Sequence, residues 1–572
     1  MLGLMMDKPL LISSILDHAA KYHGGTEIVS RTVEGPLHRY TYADAAVRAK
    51  KLAQALRRLG IGDGDRVATL AWNGYRHFEL YYGVSGMGAV CHMVNPRLFS
   101  GQISYILNHA EDKIVFADLT FVQLLEEIAP EAASVKAFVV MTDEANMPDT
   151  SLPHVHCYET LLAAEDGDCE WPQFDENTAS SMCYSSGTTG NPKPIVHGHG
   201  GVLLEGAKQS LHQDITFRDR YMWMTSSGWI MWNSQHTALA QGATALLYDV
   251  AANHPDLMEV WRVVAKEQLT YMGAGAAFFE ACRKAGIRPV DLDLSALRSI
   301  GATGSPLTSD GYDWVYGQVK SDVWLAPISG GTDLAGAFVG GNPMLPVRSA
   351  EMQCRLLGNA VRAYDAAGNE VFDQVGELVC TEPLPSMPLY FWGDDDGSRL
   401  HGSYFHTYPG IWRHGDWIEM APDGRSVIYG RSDATINRRG LRLGSSEIYQ
   451  AVEGLDEVMD SLVVDLEFLG RDSFMPLFVV LADGLTLDDA LKDKINHAIR
   501  NSISARFLPN EIKQIVAVPR TLSGKKLEVP VKKLLLGGNP ATVVNRDSMS
   551  NPDSFDAFVE YAKSREEATA ND

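Results

Sequence analysis

The sequence predicts an α/β protein in two parts: a large N-terminal region of layered α/β subdomains and a small α+β C-terminal domain. Three observations carry that reading. At 572 residues the chain exceeds what a single core usually fills. Up to about residue 430, short apolar runs alternate with helical patterns, as they do where helices pack on mainly parallel sheets. Beyond Gly430-Arg431-Ser432-Asp433 a segment of different character runs to the C-terminus.

Leu10, Leu11, Ile15, Leu16 and Ala19 fall on one helical face. Thr41-Tyr-Ala-Asp44 is a capping-box variant, opening a helix that should stop at Leu59-Gly60. Strand-like runs follow at Arg66–Ala71, Ala89–Val94, Ile114–Ala117 and Ala137–Met141, interleaved with helical patterns at Phe78–Tyr82 and Phe121–Ile128. Further strands are expected at Met182–Tyr184, Ala245–Tyr248, Arg298–Ile300, Glu377–Cys380 and Ser426–Tyr429. Pro383–Pro388 and Asp394–Gly402 read as loop excursions. The expected division is a domain over 1–430, a hinge over 431–434 and a second domain over 435–572, whose charged end frays.

Bulk properties narrow the function. Hydrophobic residues make up 45% and charged ones 21%, as in a soluble globular protein. A net charge of −23 argues against a nucleic-acid partner or an anionic membrane surface, both of which need a basic face. The seven cysteines are scattered without CxxC spacing, which points to reduced thiols in cytoplasm rather than disulfides or a zinc site. Met1–Asp7 lacks a basic region and a long apolar run, so no signal peptide is expected. No window approaches the roughly 18 apolar residues of a membrane span.

The most informative stretch is Tyr184-Ser-Ser-Gly-Thr-Thr-Gly-Asn-Pro-Lys193. Hydroxyls at Ser185, Ser186, Thr188 and Thr189 crowd around Gly187 and Gly190, and Lys193 adds a cation. Backbone N–H groups, hydroxyl donors and one positive charge suit a polyphosphate. The spacing is not that of a Walker A loop. It resembles the phosphate loop of adenylate-forming enzymes, which include acyl-CoA synthetases, peptide-synthetase adenylation domains and luciferases. Partners appear in the family's order. Gly304-Ser305-Pro306 resembles the segment lining the adenine pocket, and Ser329-Gly330-Gly331-Thr332-Asp333 stands where the family has Tyr-Gly-x-Thr-Glu. The resemblance implies that Thr332 contacts the α-phosphate and that Asp333 and Thr188 hold Mg²⁺. Asp for Glu shortens the reach by one methylene.

Trp412-Arg-His-Gly-Asp416 resembles the element whose aspartate reads the ribose diol, for which an acceptor-only carboxylate is suited. Arg431 resembles the second ribose ligand and Asp433 the hinge residue. His414 reads as a structural hydrogen-bonder. Thr521-Leu-Ser-Gly-Lys525-Lys526 resembles the lysine loop that enters the site for adenylation, and the lysine directly after the glycine is Lys525. Two half-reactions are implied, an acyl adenylate formed from ATP and then a CoA thioester, with the small domain rotating between them. In the second, Arg439, Gly440 and Arg442 would face CoA.

Trp229, Trp232, Asn233 and His236 lie where the family walls its acyl pocket, and Gly330 stands where acetate-specific relatives carry a blocking tryptophan. From about residue 190 to 551 the chain resembles acetoacetyl-CoA synthetases. Residues 1–190 resemble medium-chain fatty acid and 3-methylmercaptopropionate CoA ligases, so the chain reads as a hybrid with its seam in the phosphate loop. The favoured substrate is acetoacetate, with 3-methylmercaptopropionate or a medium-chain acid as the alternative and a carrier-loading adenylation domain as a remote one. Expected partners are the acid, ATP with Mg²⁺, and CoA. No nucleic acid and no stable membrane association are expected, and a homodimer is left open.

Overall fold

The computed structural model describes residues 3–570 apart from 97, 99, 186–191, 249–250, 433–435, 439–440, 444, 467–473 and 523. Among these residues, two large and mainly parallel sheets form the N-terminal region. The first has eight strands in the order Tyr390–Phe391, Lys193–Gly198, Ala179–Ser185, Val90–Val94, Arg66–Leu70, Ile114–Ala117, Ala137–Val140 and Val155–Cys157. The second has seven, from Trp324–Leu325 through Ser299–Thr303, Tyr271–Gly275, Arg220–Trp223, Thr244–Tyr248 and Glu27–Arg31 to Leu37–Thr41. In the first sheet the inner strands Arg66–Leu70, Val90–Val94, Ile114–Ala117 and Ala137–Val140 are buried along their whole length, as parallel strands covered by helices on both faces are.

Local expectations match closely at several places. The helix Tyr42–Arg58 opens on Thr41, whose side chain accepts from the Asp44 N–H while the Asp44 carboxylate accepts from Thr41. It ends at Leu59, and Gly60 takes φ +85° beyond it. The strands Ile114–Ala117 and Ala137–Val140 lie where the apolar runs placed them.

The expected strands at Glu377–Cys380 and Ser426–Tyr429 belong to a third layer whose antiparallel order the sequence did not indicate, a sheet of Val361–Tyr364, Val375–Cys380, Trp412–Met420 and Ser426–Arg431. Asp394–Gly402, read as a loop, contains the start of a short helix, Ser398–Tyr404. Apolar packing divides near the expected boundary. Every described core cluster lies either at or before Ile428 or at or after Ile436. The C-terminal part carries a three-stranded sheet, Val458–Val463, Pro476–Leu481 and Glu511–Gln514, packed with helices that include Ser445–Glu453 and Asp489–Ser502.

Candidate active site

The candidate site lies at the C-terminal ends of the parallel strands, where open α/β sheets place their ligands. Ser185 ends the strand Ala179–Ser185 and pairs in register with Lys193, which opens the antiparallel return strand. That pairing sets the two ends of the glycine-rich loop side by side. Ser186, Gly187, Thr188, Thr189 and Gly190 lie outside the described residues. The Lys193 ammonium sits 4.7 Å from the centre of the Tyr404 ring and 5.9 Å from that of Phe391.

Gly304 follows the strand Ser299–Thr303 with φ +87°, a conformation open to glycine, and leads into exposed Ser305 and Pro306. The half-buried Trp229 indole faces this edge, close enough to meet a Cβ at Gly304 at 3.6 Å and one at Gly275 at 3.9 Å. The preceding turn is wedged on the first sheet. Ser227 Oγ donates to the Ala71 carbonyl, and a Cβ on Gly228 would overlap the Asn95 backbone. Trp229 therefore bridges the ends of both sheets.

The other residues expected to wall an acyl pocket lie deeper. Trp232 is fully buried, and its Nε1 donates to Asn73 Oδ1 at 3.1 Å. His236 is also fully buried, its Nδ1 2.7 Å from the Tyr82 hydroxyl, and burial pushes its pKa down to about 3. Both pack with Tyr81 in the core. Asn233 is buried with no described partner for either amide atom. Gly330 answers to strand geometry: Ser329–Gly331 pairs with Gly336–Gly340 so closely that a Cβ at Gly330 would overlap the Gly336 carbonyl oxygen.

Thr332 and Asp333 sit in a one-turn helix, Thr332–Leu334, that stops at Ala335 with φ +53°. Burial alone raises the Asp333 carboxyl, but the His414 ring, the Lys193 ammonium and the Tyr404 hydroxyl outweigh it and hold the group below the ordinary carboxylate range. Tyr404 donates to Asp333 Oδ1. Among the described residues no trio of His, Cys, Asp or Glu could hold a metal ion. A divalent cation here would therefore rest on Asp333 and nucleotide phosphates, a donor set that suits Mg²⁺.

The strand Trp412–Met420 brings in Asp416, directly opposite Arg431 on the neighbouring strand. Arg431 Nη1 lies 3.4 Å from Asp416 Oδ1, and His414 Nε2 lies 3.7 Å from Asp416 Oδ2. Gly415, at φ +89°, lets the Arg431 guanidinium cross its backbone, where a Cβ would approach Nη2 to 2.7 Å. Burial lowers the His414 pKa, Asp416 and Asp333 oppose it, and the Arg431 and Lys525 cations reinforce it. That last influence puts Lys525, far along the chain, within electrostatic reach of His414.

The lysine loop is built tightly. Thr521 N–H donates to the Lys525 carbonyl at 2.7 Å, the Lys525 N–H to Thr521 Oγ1 at 3.0 Å, and Arg520 Nη1 to the Gly524 carbonyl at 2.6 Å. Lys526 turns inward. Its ammonium meets Glu453 at 2.5 Å and Asp460 at 3.0 Å, and lies 3.5 Å from the Tyr449 ring centre. Lys525 is left exposed. The two adjacent lysines are thus distinguished: one anchors the loop and the other is displayed by it.

Sequence reasoning missed Tyr404, Lys284 and Ser432. Tyr404 stacks on Trp412 with centroids 3.6 Å apart, and only its aromatic neighbours Phe405 and Trp412 hinted at a cluster. Lys284 donates to the Met459 carbonyl and so links the two core regions. Ser432 Oγ donates to Glu377 at 2.9 Å and accepts from Arg413 at 3.0 Å, tying the strand end to the large region. Asp433, Arg439 and Gly440 lie outside the described residues, as does the Arg442 side chain.

Comparison with known proteins places the chain in a family. Residues 16–391 match the AMP-binding enzyme family. The acetoacetyl-CoA synthetase of Danio rerio is 35% identical over 526 residues, covering 88% of this chain and 78% of that one. The acetoacetyl-coenzyme A synthetase of Rhizobium meliloti is 35% identical over 551 residues, covering 94% and 84%. The solved acetoacetyl-CoA synthetase from Streptomyces lividans superposes with a TM-score of 0.89 at 37% identity, over 96% of this chain and 86% of that one. This likeness extends well before the phosphate loop, into the region whose motifs resembled other ligases. An anthranilate CoA ligase solved with anthranoyl-AMP, at 20% identity and a TM-score of 0.79, shares the fold. The chain belongs to the AMP-binding enzyme family, as an AMP-forming acyl-CoA ligase related over most of its length to acetoacetyl-CoA synthetases.

Proposed function

We propose that this ligase activates acetoacetate. The observation that carries the catalytic reading is the Asp333–His414–Asp416 cluster beside Arg431 and Lys193, with the Lys525 charge within electrostatic reach of His414. The likeness to acetoacetyl-CoA synthetases across most of the chain supports the choice of acid. In the first half-reaction an acetoacetate carboxylate oxygen attacks the α-phosphorus of ATP and pyrophosphate leaves. Lys525 stabilises the charge that develops between them. Asp416 and Arg431 hold the ribose, Gly304–Pro306 and Trp229 border the base and acyl group, and Ser185, Thr332 and Lys193 serve the phosphates together with Ser186–Gly190. Asp333 and Thr188, together with the phosphates, would hold magnesium, which would supply charge neutralisation. In the second half-reaction the CoA thiolate attacks the acyl carbon and AMP leaves.

We read residues 435–572 as a small domain that pivots at 431–434, bringing Arg439, Gly440 and Arg442 to CoA. The anchoring of Ser432, inside that pivot, to Glu377 and Arg413 supports a hinge whose first residues are held by the large region. All seven cysteines are free thiols, which fits a reducing cytoplasm. ATP–pyrophosphate exchange over a panel of acids tests the proposal. Acetoacetate should give the largest response. No response to it, with exchange driven by 3-methylmercaptopropionate or a medium-chain acid, would overturn the substrate assignment.

A further inference from the structure

Tyr404 joins three parts of the site that are far apart in sequence. Its hydroxyl donates to Asp333 Oδ1, its ring stacks on Trp412 at 3.6 Å and 12°, and the Lys193 ammonium lies over that ring. Trp412 opens the strand that carries Asp416, and Lys193 follows the phosphate loop. Only 3% of Tyr404 is exposed, so its orientation is set by packing. An O–H bond to a carboxylate is among the stronger hydrogen bonds a protein makes.

An aspartate side chain such as Asp333 is one methylene shorter than a glutamate. A short carboxylate has less freedom to find a cation by itself. Fixing one oxygen decides where the other points, the usual way an outer partner tunes a metal ligand.

We propose that Tyr404 is a positioning residue for Asp333, holding Oδ1 so that the short aspartate offers Oδ2 to the divalent cation of bound ATP. This rests on the magnesium role given to Asp333 above. It concerns the chain's own residues and makes the Tyr404–Asp333 pair one unit, with the aspartate acting on the cation and the tyrosine acting through the aspartate.

Tyr404→Phe tests it, because the ring stack and the Lys193 contact survive while the donor is lost. ATP binding is measured by calorimetry over a magnesium series and again with the metal chelated, alongside thermal unfolding. The expected result is a 10- to 100-fold rise, roughly, in the magnesium concentration that half-saturates the ATP response. Binding of metal-free ATP should be unchanged and so should the melting temperature. In an Asp333→Asn background the same substitution should add almost nothing, since its effect passes through that carboxylate. An unchanged magnesium series, or a loss that persists in full when Asp333 is already Asn, would overturn the proposal. So would a fall in melting temperature without a separate magnesium effect, which would make the hydroxyl structural. Wild-type ATP binding that ignores magnesium would instead defeat the role of Asp333 itself.

Discussion

The Asp333–Asp416–Arg431 cluster of the large region and the lysine loop of the small one present charge in opposite ways. On the large region, Asp416 and Arg431 face each other on neighbouring strands of one sheet, and Asp333, in its one-turn helix, lies among His414, Tyr404 and Lys193. Each group's state depends on its neighbours. On the small region a single exposed cation stands at the end of a loop whose other charges are spent internally: Arg520 on Asp460, Lys526 on Glu453 and Asp460. The difference teaches that a residue serving one of two half-reactions needs a rigid base and few ties of its own. A fixed binding face has no such requirement.

The largest expected effect comes from removing that one displayed charge. Lys525→Ala should lower ATP–pyrophosphate exchange by about 10²- to 10³-fold, the scale of losing one preorganised group aimed at developing charge. Thioester formation from preformed acyl-AMP and CoA should be spared, and stability should hold. Equal loss in both half-reactions would break the comparison, because the lysine would then belong to the fixed face.

The neighbouring substitution should do the reverse. Lys526→Met removes the cation shared by Glu453 and Asp460, which are partly buried beside it. Arg520 still holds Asp460, so the cost is moderate, about 1–2 kcal/mol of small-region stability. All eleven tryptophans lie at or before Trp417, so tryptophan emission follows the large region alone. Urea unfolding should show an earlier tyrosine and far-ultraviolet transition with the tryptophan transition in place. If both transitions moved together, the two regions would not be separate in the way their cores indicate.

Much of this was legible in sequence because it depends on local chemistry. The capping box at Thr41 and the apolar strand runs act within a few residues, whereas the roles expected of Asp416 and Lys525 rest on the resemblance of their short patterns to a known family. Tyr404 was invisible because it meets Asp333 and Lys193 only through folding, 71 residues away in the first case. The lysine ambiguity had the same origin: Glu453 and Asp460 decide it from another part of the chain. Trp232 and His236 show a further limit. Aromatic and polar residues in one turn look alike whether they reach a ligand or, as here, close a core against Tyr81 and Tyr82.

Acid should separate the two regions most gently. The large region encloses several neutral histidines, with His77 and His236 pushed down to about 3 and His197 and His199 to about 4 by burial, all from 6.5. A folded pKa below the unfolded one means the stabilisation is complete above pH 6.5 and is lost as pH falls through and below that value. Between pH 7 and 6 the loss is about 0.7 kcal/mol per histidine. The small region's Asp460 works in a lower window. Burial raises its pKa, but Lys526 and Arg520 more than offset that and bring it from 3.8 to about 2. Its contribution is therefore complete above about pH 4 and lost only as pH approaches 2. Urea midpoints followed by tryptophan emission should thus fall between pH 7 and 5.5, while the small region's transition holds. A large-region midpoint that stayed level over this range would mean that these histidines take up protons without opening the core, and that the large region is looser around them than their burial implies.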